Sequence, residues 1–217
     1  MIIDMDSNTN KKTFSVVPGL NMGLFAPEDL ETILNVINKY EVPATKITSA
    51  QRLALLGMEK EEMAKLQHEL KSHIRETPIN GVTYVQSCPG PAWCKYGIAD
   101  SLSLGKKLEQ LSMEKPFKAK LKIGVAGCRM CCTEPYVRDV GIFASKKGWT
   151  LVFGGNGGVN PRIGDIVAKG LTDEEVLALV KKCLTVYQEE ANPHSRTARF
   201  MERFGIEALK KRILEQE

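Results

Sequence analysis

The sequence contains no long apolar run and very little histidine. No hydrophobic stretch approaches the roughly 18 residues that a membrane-spanning helix requires, and residues 1–12 lack the apolar segment of a secretory signal. The three histidines lie among charged residues, so we expect them to face solvent and not to bind a metal. These absences lead us to expect a cytoplasmic protein with reduced thiols and no membrane contact.

The sequence also lacks the usual signals of a nucleotide or nucleic-acid binder. No Gly-Lys-Ser/Thr sequence ends a glycine-rich stretch, which excludes a phosphate-binding P-loop. The formal net charge is only +4, and no segment resembles a nucleic-acid module. Hydrophobic residues make up 43% of the 217 residues, enough for a core in one domain or in two small ones.

Cysteine, by contrast, is concentrated in two short segments. Five of the six cysteines lie within residues 87–94 and 127–132. Four of them give the spacings Cys-x5-Cys and Cys-x3-Cys, namely Cys88, Cys94, Cys128 and Cys132. Four thiolates brought together from two loops suit a thiophilic centre, and a cubane 4Fe–4S cluster takes four cysteine ligands.

Three other interpretations of the cysteines stay open at this point. A structural zinc site usually has Cys-x2–4-Cys knuckles, which the five-residue spacing fits poorly. Disulfides require an oxidising compartment, which nothing in the sequence indicates. Free core thiols are common, but they do not usually cluster in loops flanked by Gly and Pro. The remaining cysteine, Cys183, lies on the apolar face of a predicted helix, where we expect a buried thiol.

Hydrophobic periodicity predicts an α+β chain with a boundary near residues 78–81. Before the boundary we predict strands at 13–17, 45–48 and 52–56, a helix from Pro27, and another at 59–73. Leu30, Ile33, Leu34 and Ile37 are expected to share one face of the first helix.

After the boundary, short strands are predicted to deliver the cysteines to their loops. The predicted strands are 83–86, 119–126, 137–143 and 149–153. A helix is expected from about Ala92, and another opens at the capping box Thr172–Glu175.

The pair of cysteine spacings resembles the signature of the sulfite and nitrite reductases that contain siroheme and a 4Fe–4S cluster. In that family four cysteines hold the cluster, and the last one bridges it to the siroheme iron, which would make Cys132 the shared ligand. The resemblance implies a flexible start at 1–12 and a ferredoxin-like half-domain at 13–78. Residues 79–217 would then form an α+β iron–sulfur and siroheme domain with C-terminal helices.

The size of the chain is similar to that of the small, single-half, assimilatory-type sulfite reductases of anaerobes. The resemblance therefore implies the multi-electron reduction of sulfite to sulfide. Its implied partners are a small oxyanion and an electron donor such as ferredoxin. A homodimer is a further possibility, because larger members bind siroheme between two pseudo-repeats and this chain has one. The alternatives are a nitrite reductase of the same family, a siroheme-free electron-transfer protein and a zinc-stabilised binding module.

A macrocycle with many carboxylates and an oxyanion substrate both require Lys and Arg. We predict that Lys118, Lys120 and Lys122 are catalytic, because strand alternation places them on one face, which resembles the family's basic strand. The other interpretation of these lysines is a solvated strand face. Arg52 completes the predicted catalytic set.

Further residues are predicted to bind the cofactors. The turn at 48–52 resembles the family's siroheme-contacting turn, with Arg and Gln in swapped order. The glycine-rich stretch 154–158 resembles its Gly-Gly turn, with backbone N–H groups that would approach cofactor carboxylates, although a flexible turn is the alternative. The predicted cofactor-binding residues are Lys46, Thr48, Gln51, Arg129, Arg138, Gly154, Gly155 and Arg162. Cys131, beside Cys132, is expected to be an inert thiol; the other interpretations are an alternative ligand and a redox-active neighbour.

Overall fold

A computed structural model describes residues 14–17, 21–71 and 80–215 of the chain. The chain divides into two units, Met1–Thr77 and Pro78–Glu217. The predicted flexible start at 1–12 and the predicted domain boundary at residue 78 both lie outside the described residues. Within the described ranges, no helix is both long enough and apolar enough to cross a lipid bilayer.

The first unit pairs a small antiparallel sheet with two helices. Its strands lie in the order β1–β3–β2. Their bounds are β1 (Phe14–Val16), β2 (Ala44–Ile47) and β3 (Leu53–Leu56), and the helices are α1 (Pro27–Lys39) and α2 (Lys60–Lys71). Helix α1 begins where Pro27 sets a helical φ, and the Asp29 carboxylate accepts the N–H of Ala26 at 2.8 Å.

The buried face of α1 differs from the predicted one. Ile33 is buried as expected, and Val36 joins it in the core. Leu30 and Leu34, which were predicted to face inward, are exposed. The apolar stripe of this helix is therefore rotated toward Val36.

The second unit contains a five-stranded mixed sheet in the order β4–β5–β6–β7–β8. The strands are β4 (Tyr84–Ser87), β5 (Lys122–Ala126), β6 (Val140–Ser145), β7 (Gly148–Phe153) and β8 (Asp165–Leu171). The first three run parallel, and β7 and β8 continue the sheet antiparallel. The helices are α3 (Ser101–Glu109), α4 (Asp173–Glu190), α5 (Thr197–Phe204) and α6 (Ile206–Leu214). The prediction of a mixed helix and strand fold is confirmed.

Local sequence signals account for several of these elements. The central strands are buried along most of their length, which agrees with the continuous apolar runs that parallel strands usually show. The capping box predicted for α4 is present, because the Thr172 hydroxyl accepts the Glu175 N–H and the Glu175 carboxylate accepts the Thr172 N–H.

Three element boundaries were predicted incorrectly, and one strand was missed. The helix expected from Ala92 begins only at Ser101, because residues 91–97 form turns. At Gly97 a Cβ atom would lie 2.6 Å from Gly90 C and from Pro91 N, so the chain folds back on itself there. The strand expected over 119–126 begins at Lys122, and that expected over 137–143 is displaced to Val140–Ser145. Strand β8 was not predicted.

The connection from β5 to β6 lies against the sheet with no room for side chains between them. A Cβ atom on Gly141 would lie 1.9 Å from the carbonyl oxygen of Pro135. A Cβ atom on Gly124 would lie 2.8 Å from the carbonyl oxygen of Thr133. Both glycines are therefore required by the close approach of two backbones, and this contact fixes the path of the chain after Cys132.

We expect Gly141→Ala to destabilise the second unit by about 2–3 kcal/mol, because its methyl group overlaps the backbone of Pro135. The melting temperature should fall by roughly 5–10 °C. Fluorescence is a suitable probe because both tryptophans, Trp93 and Trp149, lie in this unit. Gly157→Ala is the control, since its Cβ would meet Val137 at an ordinary 3.5 Å. Equal melting temperatures for the two variants would contradict the packing argument.

Candidate functional site

The two cysteine segments leave the sheet at the same edge. Cys88 directly follows β4, and Cys128 follows β5 after a single glycine. Because β4 and β5 are parallel neighbours, their carboxyl ends lie side by side. In open α/β sheets this edge is where ligand sites usually form.

Hydrogen bonds tie the two segments together without any cofactor. The backbone N–H groups of Ile98 and Ala99 donate to the Gly127 carbonyl oxygen at 2.8 and 3.1 Å. The Gly127 N–H donates to the Cys88 Sγ at 3.1 Å. A Cβ on Gly127 would lie 2.6 Å from the Ala99 carbonyl oxygen, so only glycine permits this approach.

Cys94 lies in the turn that closes the first segment. Its N–H donates to the Gly90 carbonyl oxygen at 2.9 Å, and its own carbonyl accepts the Gly97 N–H at 2.9 Å. Gly90 adopts φ +71°, a left-handed conformation that favours glycine. The turn returns the chain from Cys88 so that Cys94 comes back to the same end of the sheet.

The second segment turns through Cys131, whose φ is +53°. The Cys131 N–H donates to the Cys128 carbonyl oxygen at 3.3 Å, and its carbonyl accepts the Glu134 N–H at 2.8 Å. Its side chain packs against the core cluster that contains Phe143, while Cys132 is exposed. Burial, followed by the neighbouring Cys128 and Cys132, raises the pKa of the Cys131 thiol. This packing favours the interpretation of Cys131 as an inert thiol.

Arg138 stabilises the end of this second segment through hydrogen bonds. Its Nε donates to the Thr133 carbonyl oxygen at 3.1 Å, and its guanidinium binds the Glu134 carboxylate at 2.9 Å. The sequence predicted that Arg138 binds a cofactor. In the structure it holds the two residues that follow Cys132 and so positions the loop, while its contact with a cofactor stays a prediction.

The cysteines do not form the compact ligand set of a single metal ion. Among residues 14–17, 21–71 and 80–215, no three His, Cys, Asp or Glu side chains come together in that way. A zinc ion requires ligand atoms about 2.0–2.3 Å from one point. A cubane cluster instead takes one thiolate at each of its iron atoms, so its four sulfur ligands are spread around the cluster. The soft donor set of four cysteines fits a cluster.

The three predicted lysines lie at the other end of β5. Lys122 opens the strand, so about 20 Å of extended chain separates it from Cys128. Lys118 and Lys120 precede the strand, and the Lys118 ammonium donates to the Ala191 carbonyl oxygen. The prediction that the three lysines share a strand face is therefore wrong, because only Lys122 belongs to the strand. Their catalytic role stays a prediction.

A buried carboxylate near Lys122 was not predicted from the sequence. The Asp139 side chain is 0% exposed and accepts hydrogen bonds from the Arg196 guanidinium, the Thr197 hydroxyl and the backbone N–H of Lys122. Burial, and after it the charge of Arg196, lowers the pKa of the Lys122 ammonium. No local sequence motif marks Asp139, because its side-chain partners Arg196 and Thr197 lie more than fifty residues away.

The glycine-rich stretch also differs from its prediction. The N–H groups of Gly154 and Gly155 donate to the carbonyl oxygens of Asp139 and Arg138, both at 2.9 Å. The expectation that these two groups are free to bind cofactor carboxylates is therefore wrong. A Cβ on Gly155 would lie 2.4 Å from the Tyr136 carbonyl oxygen, so glycine is needed here for packing within the protein.

Arg162 follows the same pattern. Its guanidinium donates to the Gly154 carbonyl oxygen at 2.9 Å and to the Asp165 carboxylate at 2.6 Å. In the structure it closes the glycine-rich loop, and its contact with a cofactor stays a prediction. Arg129, by contrast, is exposed beside Cys128 and keeps its predicted role as a candidate ligand for anions.

The four candidates of the first unit gather in one hairpin. The Thr48 hydroxyl donates to the Arg52 carbonyl oxygen and accepts the Arg52 N–H, which closes the turn between β2 and β3. Gln51 adopts φ +57° at its tip, and Lys46 is exposed on β2. Their predicted roles toward substrate and siroheme stay predictions.

Large apolar side chains surround the cysteine segments. Trp93 is 81% exposed and Met130 is 66% exposed, and each lies next to or near a candidate ligand in sequence. Tyr96 and Ile98 are also exposed, and the Lys95 ammonium lies 5.0 Å from the Tyr96 ring centroid. Their exposed apolar surface, close in sequence to the candidate ligands, is available to a bound group.

Comparisons with known proteins converge on one family. Residues 79–217 match the family described as "Nitrite and sulphite reductase 4Fe-4S domain". The chain is 43% identical over 205 residues to the assimilatory-type sulfite reductase of Nitratidesulfovibrio vulgaris, covering 94% of both chains. It is 36% identical to the nitrite reductase [NAD(P)H] of Bacillus subtilis, covering 93% of this chain but only 25% of that much longer protein.

Two solved structures have the same fold. Dissimilatory sulfite reductase I superposes with a TM-score of 0.75 at 13% identity, over 92% of this chain and 68% of that one. The NirA protein of Mycobacterium tuberculosis superposes with a TM-score of 0.70 at 17% identity, over 89% of this chain and 38% of that one.

We expect Arg138→Met to loosen the second cysteine segment, because the Thr133 carbonyl and the Glu134 carboxylate lose their donor. A loss of about 1–2 kcal/mol in local stability should speed amide exchange in residues 128–134 roughly 5- to 30-fold. Hydrogen–deuterium exchange with mass spectrometry measures this. Arg199→Met is the control, since the Arg199 guanidinium binds Glu202 and the Asn160 carbonyl oxygen, neither of which belongs to residues 128–134. Unchanged amide exchange in residues 128–134 would contradict the role of Arg138 in stabilising this segment.

Proposed function

Because the chain belongs to the nitrite and sulphite reductase 4Fe-4S domain family, we propose that it reduces sulfite to sulfide with a siroheme and a 4Fe–4S cluster. The observation that carries the proposal is the meeting of the two cysteine segments at one sheet edge, held by protein hydrogen bonds. The relative that this chain matches along 94% of both lengths is a sulfite reductase.

The four cysteines Cys88, Cys94, Cys128 and Cys132 would hold the cluster. The Cys88 sulfur already accepts an N–H from Gly127, and backbone donors of this kind stabilise a ligating thiolate. Cys132 is the most exposed of the four, so it is best placed to bridge the cluster to the siroheme iron. When bound, the two groups supply the electrons and the iron at which sulfite is reduced.

The chain itself must bind anions and limit access of water. Reduction of sulfite to sulfide consumes six electrons and several protons, and both sulfite and the siroheme carboxylates are negatively charged. Arg129 and Lys95 are exposed cations on the cysteine segments, so we assign them to these anions. Trp93 and Met130 offer apolar surface for the macrocycle. Arg138, Arg162, Gly154 and Gly155 bind other parts of the protein, and their predicted contacts with the cofactors remain proposals.

The predictions about partners and location rest on the resemblance to the family. An electron donor protein such as ferredoxin and a homodimer are proposals, as is a cytoplasmic location. The hairpin residues Lys46, Thr48, Gln51 and Arg52 are proposed to contact siroheme and substrate. Lys118, Lys120 and Lys122 remain proposed catalytic residues, as the sequence predicted.

Single alanine variants of the cysteines test the ligand set. We expect each of the four ligand variants to lose most of its iron and acid-labile sulfide, because a cubane cluster with a missing thiolate is less stable. Cys131→Ala and Cys183→Ala are the matched controls and should keep wild-type iron, since one thiol packs in the core and the other is buried in α4. Loss of iron in Cys131→Ala, with retention in Cys132→Ala, would move the fourth ligand to Cys131.

Turnover distinguishes the two candidate substrates. Purified under anaerobic conditions and supplied with siroheme and a chemically reduced dye, the protein should consume about six electrons per sulfide formed from sulfite. Nitrite is the second candidate, because the longer relatives with 34–36% identity are nitrite reductases. Faster turnover of nitrite at matched concentrations would reverse the assignment. A cluster without siroheme absorbance, even after siroheme is supplied, would leave an electron-transfer protein.

A further inference from the structure

Ser101 is a buried polar residue whose hydroxyl is not needed by its helix. It is the first residue of α3, and its side chain is 0% exposed. Helix starts usually employ such hydroxyls as caps, but here the Asp100 carboxylate accepts the Ser103 N–H and fills that role. A second reason must therefore account for a hydroxyl at this position.

The hydroxyl of Ser101 contacts the first cysteine of the candidate ligand set. Its Oγ lies 3.2 Å from the Cys88 Sγ and donates to the Cys88 carbonyl oxygen at 2.8 Å. The Ser101 carbonyl accepts the Ser87 hydroxyl at 2.6 Å, which fixes the helix start against the end of β4. The other donor to the same sulfur is the Gly127 N–H, at 3.1 Å. Cys88 therefore receives contacts from both cysteine segments and from α3.

Two glycines leave room for this hydroxyl. A Cβ atom on Gly90 or on Gly127 would each lie 3.1 Å from the Ser101 Oγ, closer than side chains usually pack. One of these glycines belongs to the first cysteine segment and the other to the second. The surroundings thus hold the hydroxyl close to Cys88 and to no other cysteine.

The Ser101 hydroxyl has one hydrogen and two possible acceptors, the Cys88 carbonyl oxygen and the Cys88 sulfur. Which of them it binds depends on whether Cys88 is a thiol or a ligating thiolate. A protonated Cys88 can donate its S–H to the Ser101 Oγ, while the hydroxyl donates to the Cys88 carbonyl. A ligating thiolate has no hydrogen to give. The only way to keep the 3.2 Å contact favourable is then for the hydroxyl to donate to the sulfur.

We propose that Ser101 is a positioning residue that donates a hydrogen bond to the Cys88 thiolate and thereby raises the reduction potential of the cluster. Reduction adds negative charge that is shared by the sulfur ligands, so a donor at the sulfur stabilises the reduced cluster more than the oxidised one. The inference rests on the proposed function, because it takes Cys88 as a cluster ligand.

The test is a redox titration of the holoprotein, followed by electron paramagnetic resonance. We expect Ser101→Ala to shift the midpoint potential of the cluster to a more negative value at unchanged iron content. Ser103→Ala is the control, because Ser103 lies on the same helix and contributes its backbone N–H, not a hydroxyl, to the cap. A purely structural role would lower stability or iron content and would not move the potential of the clusters that form.

A second pair of variants separates the hydroxyl from the shape of the side chain. Ser101→Thr keeps the hydroxyl and Ser101→Val replaces it by a methyl group, so the two differ by one atom at equal volume. The potential of the threonine variant should lie closer to wild type. Equal potentials in the pair, or no shift in Ser101→Ala, would overturn the inference while leaving the cluster intact. A wild-type protein that binds no cluster would overturn the proposed function as well.

Discussion

The parallel pairing of β4 with β5 is the constraint on which the candidate site depends. It places the carboxyl ends of both strands at one edge, and a cysteine follows each end. Thirty-nine residues separate Cys88 from the Gly127 N–H that it accepts, yet the two meet because the strands are hydrogen-bonded neighbours. Parallel strands need a crossover, and here α3 supplies it and brings Ser101 to the same sulfur.

Several charged side chains of the second unit bind other groups of the protein and so stabilise its fold. Asp139 gathers Arg196, Thr197 and the start of β5 at the edge opposite the cysteines. Arg138 and Arg162 neutralise carboxylates and satisfy carbonyl oxygens beside the connecting loops. Arg129 and Lys95 are exposed cations beside candidate ligands, which makes them more informative about anion binding than the total charge of the chain.

The sequence was most informative where the chemistry is local. Cysteine spacing indicated the ligand set and the family, and the capping box indicated the start of α4. It was least informative where two distant backbones meet. Some glycines that the sequence suggested as turn residues or cofactor contacts are needed for close packing, as at Gly155. The sequence does not show this, because the backbone atom that a side chain would overlap lies in another segment. Ser101 and Asp139 could not be singled out for the same reason, since their partners come from other elements.

The hydrogen bonds that join the two cysteine regions are made by the backbone of Gly127, Ile98 and Ala99 and by the Cys88 sulfur. They all converge on Gly127, a residue that supplies no candidate ligand itself. A side chain placed at Gly127 would therefore disturb both ligand-bearing loops at once, although it would replace no ligand.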